Sequence, residues 1–453
     1  MLKTDIEISS IKKARHLLEK REISPTELVS LFLKQIDKVN PDVQAWVSIE
    51  KEKAMARAKE LEEKMYELDT LPPLFAIPYG AKDIIYTKGI PTEGGSKVLK
   101  GFIPDHDATV IQKLNQAGAI MLGKTTTTEF ANWGGTPDTR NPWNLQHTPG
   151  GSSSGSAAAL ASGMSLMTLG TQTAGSLSRP AAYNGLTVLK ATYGRVSKKG
   201  VIPASWSLDH VGAFTKTVED TVLVYNQLSG PDEGDEATWT LPKHHLRIQE
   251  NKDLTIGIVE DSYFEADSNV TLAYEAAIRE LQKIGYKVKK VKMPESFLAA
   301  NAAQAIVMQS ETSHYHAEQY QKNKALFGEY LQNFIAEGLT ITADDYLKAQ
   351  RIRTLFRTEM SEMFKDVDVL LTPATPIPAP KGISQTGSPS FNLPFTNAGV
   401  PTLVVPTGFA TETNLPVACQ FIAAPMQEQT LIDVGYMFQQ STEWHLNHPA
   451  MSV

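Results

Sequence analysis

The sequence predicts an α/β fold on three observations. Short apolar runs of strand length alternate with stretches of helical spacing along the whole chain. Residues 254–292 read as a complete β-α-β unit: an apolar run, an amphipathic segment, a glycine stop at Gly285 and a second run. With 453 residues, 42% of them hydrophobic, the chain can bury a large core. That length suggests two or three domains, although one large mixed sheet can absorb it.

Composition narrows the function. Lysine and arginine number 43 against 50 aspartate and glutamate, a net charge of -7, so no strongly basic face is implied and nucleic acid is not an expected partner. Cys419 is the single cysteine, which excludes a disulfide framework and a thiolate metal cluster and fits a reducing, cytoplasmic compartment. The N-terminal stretch scatters charge through its apolar positions and lacks the uninterrupted core of a secretion signal. The most membrane-like stretch, 157–169, is too short and too rich in small residues to cross a bilayer, so no membrane association is expected.

Residues 8–64 read as two or three helices. Ile11, Ala14, Leu17 and Leu18 share one helical face. Ser24-Pro25-Thr26-Glu27 is a start signal, with a capping serine, proline at the first helical position and glutamate at the third. The helix it opens turns Leu28, Leu31, Phe32 and Ile36 inward, and a polar helix over 50–68 follows. The apolar run 74–79 then leads into Gly80-Ala81-Lys82-Asp83-Ile84-Ile85. Two readings of Lys82 are open: a strand-end lysine reaching water, or a desolvated amine of depressed pKa able to act as a base. Next come a helix over 109–117, a strand over 119–122 and a turn at Gly123-Lys124-Thr125. From Gly118 the letters fit the phosphate-loop pattern GxxxxGK[ST]. A strand lies inside the supposed loop and a helix precedes it, so phosphate binding is not expected.

Residues 150–180 are small, rich in glycine and serine, and almost uncharged. Gly150-Gly151-Ser152-Ser153-Ser154-Gly155-Ser156 sets four hydroxyls on a segment whose glycines permit tight turns. Thr171-Gln172-Thr173-Ala174-Gly175-Ser176 ends in a serine preceded by small residues, whose N–H groups could converge on one point. Such composition also suits a flexible linker, but the apolar stretch 157–169 between the clusters is not what a solvated linker carries. A reaction centre and a tightly packed segment remain the two readings.

Further along, 182–196 and 200–202 offer strands and turns, and 231–245, charged and proline-containing, a surface excursion. In the β-α-β unit the strand at 254–259 precedes a helix at 270–284, with Ala273, Tyr274, Ala277, Leu281 and Ile284 inward. The strand at 286–292 carries Lys287, Lys289, Lys290 and Lys292, which mark an exposed edge more readily than a basic binding patch. Helices fill 297–365, where His314 and His316, two apart, point to different faces and make no metal pair. Strands at 367–372, 403–405 and 418–422 and a helix at 427–441 close the chain.

Lys82 and the two serine clusters, in this order and with 70 and 24 residues separating Lys82, Ser152 and Ser176, resemble the amidase signature family. GAKDII around Lys82, GGSSSGSAAALASG from Gly150 and TQTAGS ending in Ser176 each match a motif of that family. The likeness extends over nearly the whole chain, through NPWN at Asn141, GLTVLKATYGRVS from Gly185, DVDVLLTPATPIPAP from Asp366, NAGVPTLVVPTG from Asn397 and STEWHLNHP from Ser441. The resemblance implies a single α/β/α sandwich over residues 1–453 around a central mixed, twisted sheet. Its parts would be N-terminal helices (1–70), a catalytic core (71–230), a variable and mostly helical part (231–365), and C-terminal strands and a helix (366–453).

The resemblance also implies roles. Ser176 is the expected nucleophile, Ser152 the bridging serine behind a cis peptide bond, and Lys82 the base. The backbone N–H groups of Thr173, Ala174, Gly175 and Ser176 are the expected oxyanion hole, with Gly150, Gly151 and Ser153 in support. A serine hydroxyl is a poor nucleophile until a neighbour takes its proton, and a neutral lysine can take it through an intervening hydroxyl if burial holds its pKa far below the ordinary lysine range. The implied reaction is acylation of Ser176 by a small-molecule amide, release of ammonia or an amine, and attack by water. It needs neither cofactor nor metal, and the chain is expected to be a monomer or homodimer.

The nucleophile motif departs from its relatives. Family members commonly carry Asp-Thr-Gly-Gly-Ser-Ile-Arg; here Gln172 stands for the aspartate, Ala174 for the first glycine and Ser178 for the arginine, with Arg179 one step later. Losing both charges together would leave neither buried and unpaired. A free-standing amidase is the leading expectation. The alternatives are the glutaminase subunit of a tRNA-dependent amidotransferase, which NPWN and STEWHLNHP resemble, and a catalytically silent binding protein. Trp133, the helices of 297–334 and residues 391–395 are candidate pocket walls, although aromatic residues there suit a core as well.

Overall fold

Caps and apolar spacing build the front of the chain as the sequence predicts. The structure, a computed structural model, describes residues 8–134, 136–239 and 242–452. In α1 (Ile11–Glu19), Ile11, Ala14, Leu17 and Leu18 are buried, the four residues of the predicted face. α2 (Pro25–Val43) opens on the predicted capping box, with Ser24 Oγ accepting from Glu27 N and the Glu27 carboxylate accepting from Ser24 N. It buries Leu28, Phe32 and Ile36, while Leu31 is only partly covered. Between α2 and the polar helix α3 (Lys51–Met65) lies β1 (Trp46–Ile49), a four-residue strand too short for the sequence pattern to announce.

The rest of the first half comprises β2 (Pro78–Lys82), α4 (Thr109–Gln116), β3 (Ile120–Thr125), α5 (Ser154–Ala161), β4 (Met167–Gln172), α6 (Ser178–Asn184), β5 (Thr187–Lys190), β6 (His210–Thr215) and α7 (Val218–Leu228). The second half runs β7 (Thr255–Val259), α8 (Ser268–Ile284), β8 (Lys287–Val291), α9 (Phe297–Asn323), α10 (Glu329–Gly338), α11 (Ala343–Met363), β9 (Val369–Pro373), α12 (Leu393–Ala398), β10 (Thr402–Phe409), β11 (Pro416–Ala423) and α13 (Glu428–Ser441).

The eleven strands of the described residues form one mixed sheet in the order β1-β3-β2-β4-β6-β5-β10-β11-β9-β7-β8, with helices packed on both of its faces. Residues 46–215 supply one side of the sheet and residues 255–423 the other. They meet where β5 pairs antiparallel with β10 through Val188, Leu189 and Lys190 against Val404, Leu403 and Thr402. β8 is an outer strand, as its lysines predict, and they pair with Asp253, Asp366 and Glu260. Gly285 ends α8 at φ 114°. No helix among the described residues is long and apolar enough to cross a membrane.

One expected turn is corrected. Gly123, Lys124 and Thr125 lie inside β3, paired with Gly80, Ala81 and Lys82 of β2. A lysine after glycine reads as a turn, but here the Lys124 amine is wholly buried and donates to Ile85 O (2.6 Å) and Thr92 Oγ1 (2.7 Å), with Asp83 3.8 Å away. Burial lowers the Lys124 pKa and raises that of Asp83. The strand passing through the glycine also settles the phosphate-loop pattern as coincidence. His316 is buried against Phe130 and Phe327, and His314 sits edge-on to Trp206, so the two do not converge.

Candidate active site

Lys82 is the last residue of β2, a strand paired in parallel with β3 on one side and β4 on the other. Its side chain is fully buried and reaches three hydroxyls: Ser152 Oγ at 2.8 Å, Thr171 Oγ1 at 2.9 Å and Ser153 Oγ at 3.1 Å. Among the described residues no carboxylate touches the amine. Burial, the largest cause, pushes its pKa well below 10.5; the Arg179 guanidinium acts in the same direction, and the Asp209 carboxylate opposes. The strand-end reading of Lys82, with its amine in water, is thereby corrected.

The first serine cluster wraps this amine. Gly150 takes φ 81°, the Gly151–Ser152 peptide is cis, and α5 begins two residues later with Ser154 Oγ donating to Gly150 O at 2.8 Å. A Cβ on Gly151 would lie 2.5 Å from Thr386 Cγ2, so glycine is what lets the 386–392 segment close over the loop. Ser153 Oγ is buried and donates to Thr171 O at 3.2 Å, which ties the cluster to β4.

The second cluster follows β4 directly. Gln172 Oε1 accepts from Leu177 N and Ser178 N, both at 2.8 Å, at the start of α6, and Gln172 Nε2 donates to Thr396 Oγ1 at 2.9 Å. A neutral amide thus meets the two N–H groups. Arg179, one step after the place of the family's arginine, is wholly buried and donates to Gly151 O (2.5 Å), Gly387 O (2.7 Å) and Thr386 Oγ1 (3.1 Å). The two replaced positions, Gln172 and Ser178, are buried and neutral, yet a charge remains beside them. A guanidinium stays in the interior with carbonyls and a hydroxyl as partners, and burial lowers its pKa to about 10.

Exposure rises from Lys82 (0%) through Ser152 (4%) to Ser176 (8%), so Ser176 is the member nearest to solvent. Ser152 and Ser176 share no hydrogen bond among the described residues. Their loops lie side by side under the 386–392 segment, with Thr386 against Gly151 and with Pro389 and Asn392 against Gly175. The N–H groups of Ala174, Gly175 and Ser176 donate to no group among the described residues.

The sequence reading missed Asp209, just ahead of β6. Its Oδ1 accepts from Thr173 Oγ1 at 2.5 Å, and its Oδ2 from Ala204 N and Ser205 N, each at 3.0 Å. Burial raises its pKa to about 6. An acidic residue opening the apolar run 211–214 was the available signal. The reading also missed the polar contacts of α9: Gln304 reaches Thr173, Glu311 accepts from Ser205 Oγ and Ser207 N, and Thr312 Oγ1 donates to Ala204 O. Beyond Thr171 and Asp209 a cavity of ≈ 210 Å³ is walled by His210, Lys198, Ile202 and Trp206; Ser152 and Ser176 are not on its wall. Of the candidate pocket walls, Phe297, Phe391 and Phe395 belong to a buried aromatic cluster with Phe264 and Phe356, whereas Trp133 is 45% exposed. Among the described residues no group of His, Cys, Asp and Glu could hold a metal ion.

The family model described as Amidase matches residues 27–432. The A-type subunit of glutamyl-tRNA(Gln) amidotransferase from Sulfurihydrogenibium sp. (strain YO3AOP1) is 34% identical, over 97% of this chain and 98% of its own. Among solved structures, the native peptide amidase from Stenotrophomonas maltophilia superposes with TM-score 0.86 at 27% identity, covering 98% of this chain and 99% of its own. A crystal structure of an amidase does so with TM-score 0.85 at 28% identity, covering 95% and 99%.

Proposed function

The chain belongs to the amidase family and is an amide-hydrolysing enzyme, and from that premise we propose that it cleaves a carboxamide C–N bond through an acyl-enzyme on Ser176. The observation that carries this is the Lys82 amine, buried among three hydroxyls without a carboxylate, 2.8 Å from Ser152 Oγ. A neutral amine has two N–H donors and one lone pair. With three hydroxyls around it, two accept from the amine and one donates to it; the Ser153 hydroxyl is committed to Thr171 O, and in the proposed relay Ser152 is the donor.

Ser176 Oγ attacks the carbonyl carbon while its proton passes to Ser152 and the Ser152 proton to Lys82 Nζ. The oxygen that gains the electron pair meets the N–H groups of Thr173, Ala174, Gly175 and Ser176, where one such donor typically lowers the barrier by about 3 kcal/mol. When the tetrahedral species collapses, the C–N bond breaks and the nitrogen takes the proton back along the same hydroxyl. Water then attacks the ester, protonating Lys82 through Ser152, and Ser176 recovers its proton as the carboxylic acid leaves.

The test is turnover of primary, aryl and amino-acid amides by the purified chain, with Ser176→Ala as control and a fluorophosphonate as label. Turnover and labelling lost in Ser176→Ala support the proposal; neither in the wild type removes it. A second reading, the glutaminase subunit of a tRNA-dependent amidotransferase, is favoured by the 34% identity to one component of such an enzyme over 97% of this chain. Glutamine turnover that requires added partner subunits would establish that reading over a free-standing amidase.

A further inference from the structure

Two helices grip the nucleophile loop by its carbonyls. From α9, Gln304 Nε2 donates to Thr173 O at 2.9 Å; from α12, Thr396 Oγ1 donates to Ala174 O at 2.8 Å. Both side chains are buried, and the two peptides they hold are trans. A trans peptide carries its C=O and the following N–H on opposite sides. A carbonyl fixed towards α9 therefore turns the N–H of Ala174 away from α9, and one fixed towards α12 turns that of Gly175 away from α12. Neither of these two N–H groups donates to any group among the described residues.

Thr396 is itself oriented. Gln172 Nε2 donates to its hydroxyl oxygen at 2.9 Å, which commits the hydroxyl proton to an acceptor, and Ala174 O is nearer than the alternative, Asn392 O at 3.2 Å. A carboxylate in place of Gln172 has no hydrogen to give. It would accept the Thr396 proton and leave Ala174 O without its donor. The neutral residue at 172, which departs from the family's aspartate, and the threonine at 396 thus work as a pair.

Resting on the hydrolase reading above, we propose that Gln304 and Thr396 are positioning residues of the oxyanion hole, fixing the peptide planes whose N–H groups receive the developing charge. Neither touches the reacting atoms. Their effect is on the direction of the Ala174 and Gly175 donors, and so falls on the transition state rather than on the bound amide.

The experiment uses the full-length chain with an amide that it turns over. Gln304→Met and Thr396→Val keep approximate volume and remove the donor; Thr396→Ser keeps the hydroxyl. In the first two, kcat falls on the order of 10- to 100-fold with KM within about twofold, and Thr396→Ser stays close to wild type. A boronic acid that mimics the tetrahedral species loses affinity by the same factor as kcat/KM, while the product carboxylate binds as before. A purely structural role would not reproduce that proportion. Unchanged kcat in both variants, or a fall in kcat with unchanged boronate affinity, overturns the proposal while the hydrolase reading stands. A wild type that neither turns over an amide nor labels at Ser176 overturns the hydrolase reading, and this assignment with it.

Discussion

Adding a single methyl group at Gly175 tests how rigidly the loop is walled. A Cβ there would lie 2.7 Å from Asn392 Oδ1, 2.9 Å from Pro389 Cβ and 3.2 Å from Pro389 Cα, where ordinary contact begins at 3.4 Å, so the wall or the loop must yield about 0.7 Å. Asn392 has little room to turn away, because its Nδ2 donates to Ala374 O (2.8 Å) and Gln420 Oε1 (3.0 Å), and Pro389 is a ring on the backbone. The loop is the part that moves, carrying the Gly175 N–H and Ser176 with it. Overpacking of this kind costs about 1–3 kcal/mol of stability. A displacement approaching 1 Å at a reacting centre costs on the order of 100-fold in rate. Thermal unfolding and steady-state kinetics of Gly175→Ala measure both, and Ala174→Gly, which restores the family's letter, serves as a near-neutral control. A Gly175→Ala enzyme with kcat within about threefold of wild type would refute the reasoning.

Three further outcomes follow from buried charge. Lys82→Met abolishes turnover yet raises the melting temperature near neutral pH. The folded pKa of Lys82 lies below 10.5, so between the two values the unfolded chain binds the extra proton and the buried amine costs stability that methionine does not; a lower melting temperature would contradict this. For the same reason the wild-type rate falls on acidification as the amine gains its proton, and a rate that shows no such fall wherever the enzyme stays folded would remove Lys82 as the base. Asp209, raised from 3.8 to about 6, holds more protons folded than unfolded across that window, so it makes stability fall as pH rises from about 4 to 6, by about 3 kcal/mol. Asp209→Asn, whose amide can still satisfy Thr173, removes that increment; equal pH slopes of wild type and variant in calorimetric melts would refute it.

What the sequence disclosed was local. The face of α1, the capping box of α2 and the glycine stop of α8 each depend on residues within a few positions of one another. Lys82 and the serine clusters were legible through their order and spacing, which carry a resemblance but no geometry. What stayed hidden depends on distant partners. Lys124 reads as a turn residue because the groups that make its burial tolerable come from residues 83 to 92. Arg179 reads as displaced because nothing nearby shows that Gly151 and Gly387 await it. Gln304 sits in an alanine-rich helix like any polar position, and its partner Thr173 lies 131 residues earlier.

Within the sheet, the strands of residues 46–215 and those of residues 255–423 are joined by one pairing, β5 with β10. The described strands change from one side of the sheet to the other once, between Thr215 and Thr255, and the charged stretch 231–245 lies in that connection. The leading piece owns Lys82, Ser152 and Ser176; the trailing piece owns Gln304, Asn392 and Thr396. On the proposed mechanism, a nascent chain holds the three relay side chains before the helices that carry Gln304 and Thr396 exist, so hydrolysis is expected only after those helices have been synthesised. Cut within the excursion and expressed as two polypeptides, the protein becomes a reporter of its own reassembly. Each fragment would carry one partner of the β5–β10 pairing, Val188 and Leu189 on one and Leu403 and Val404 on the other, and hydrolysis regained on mixing would report that the pairing had formed.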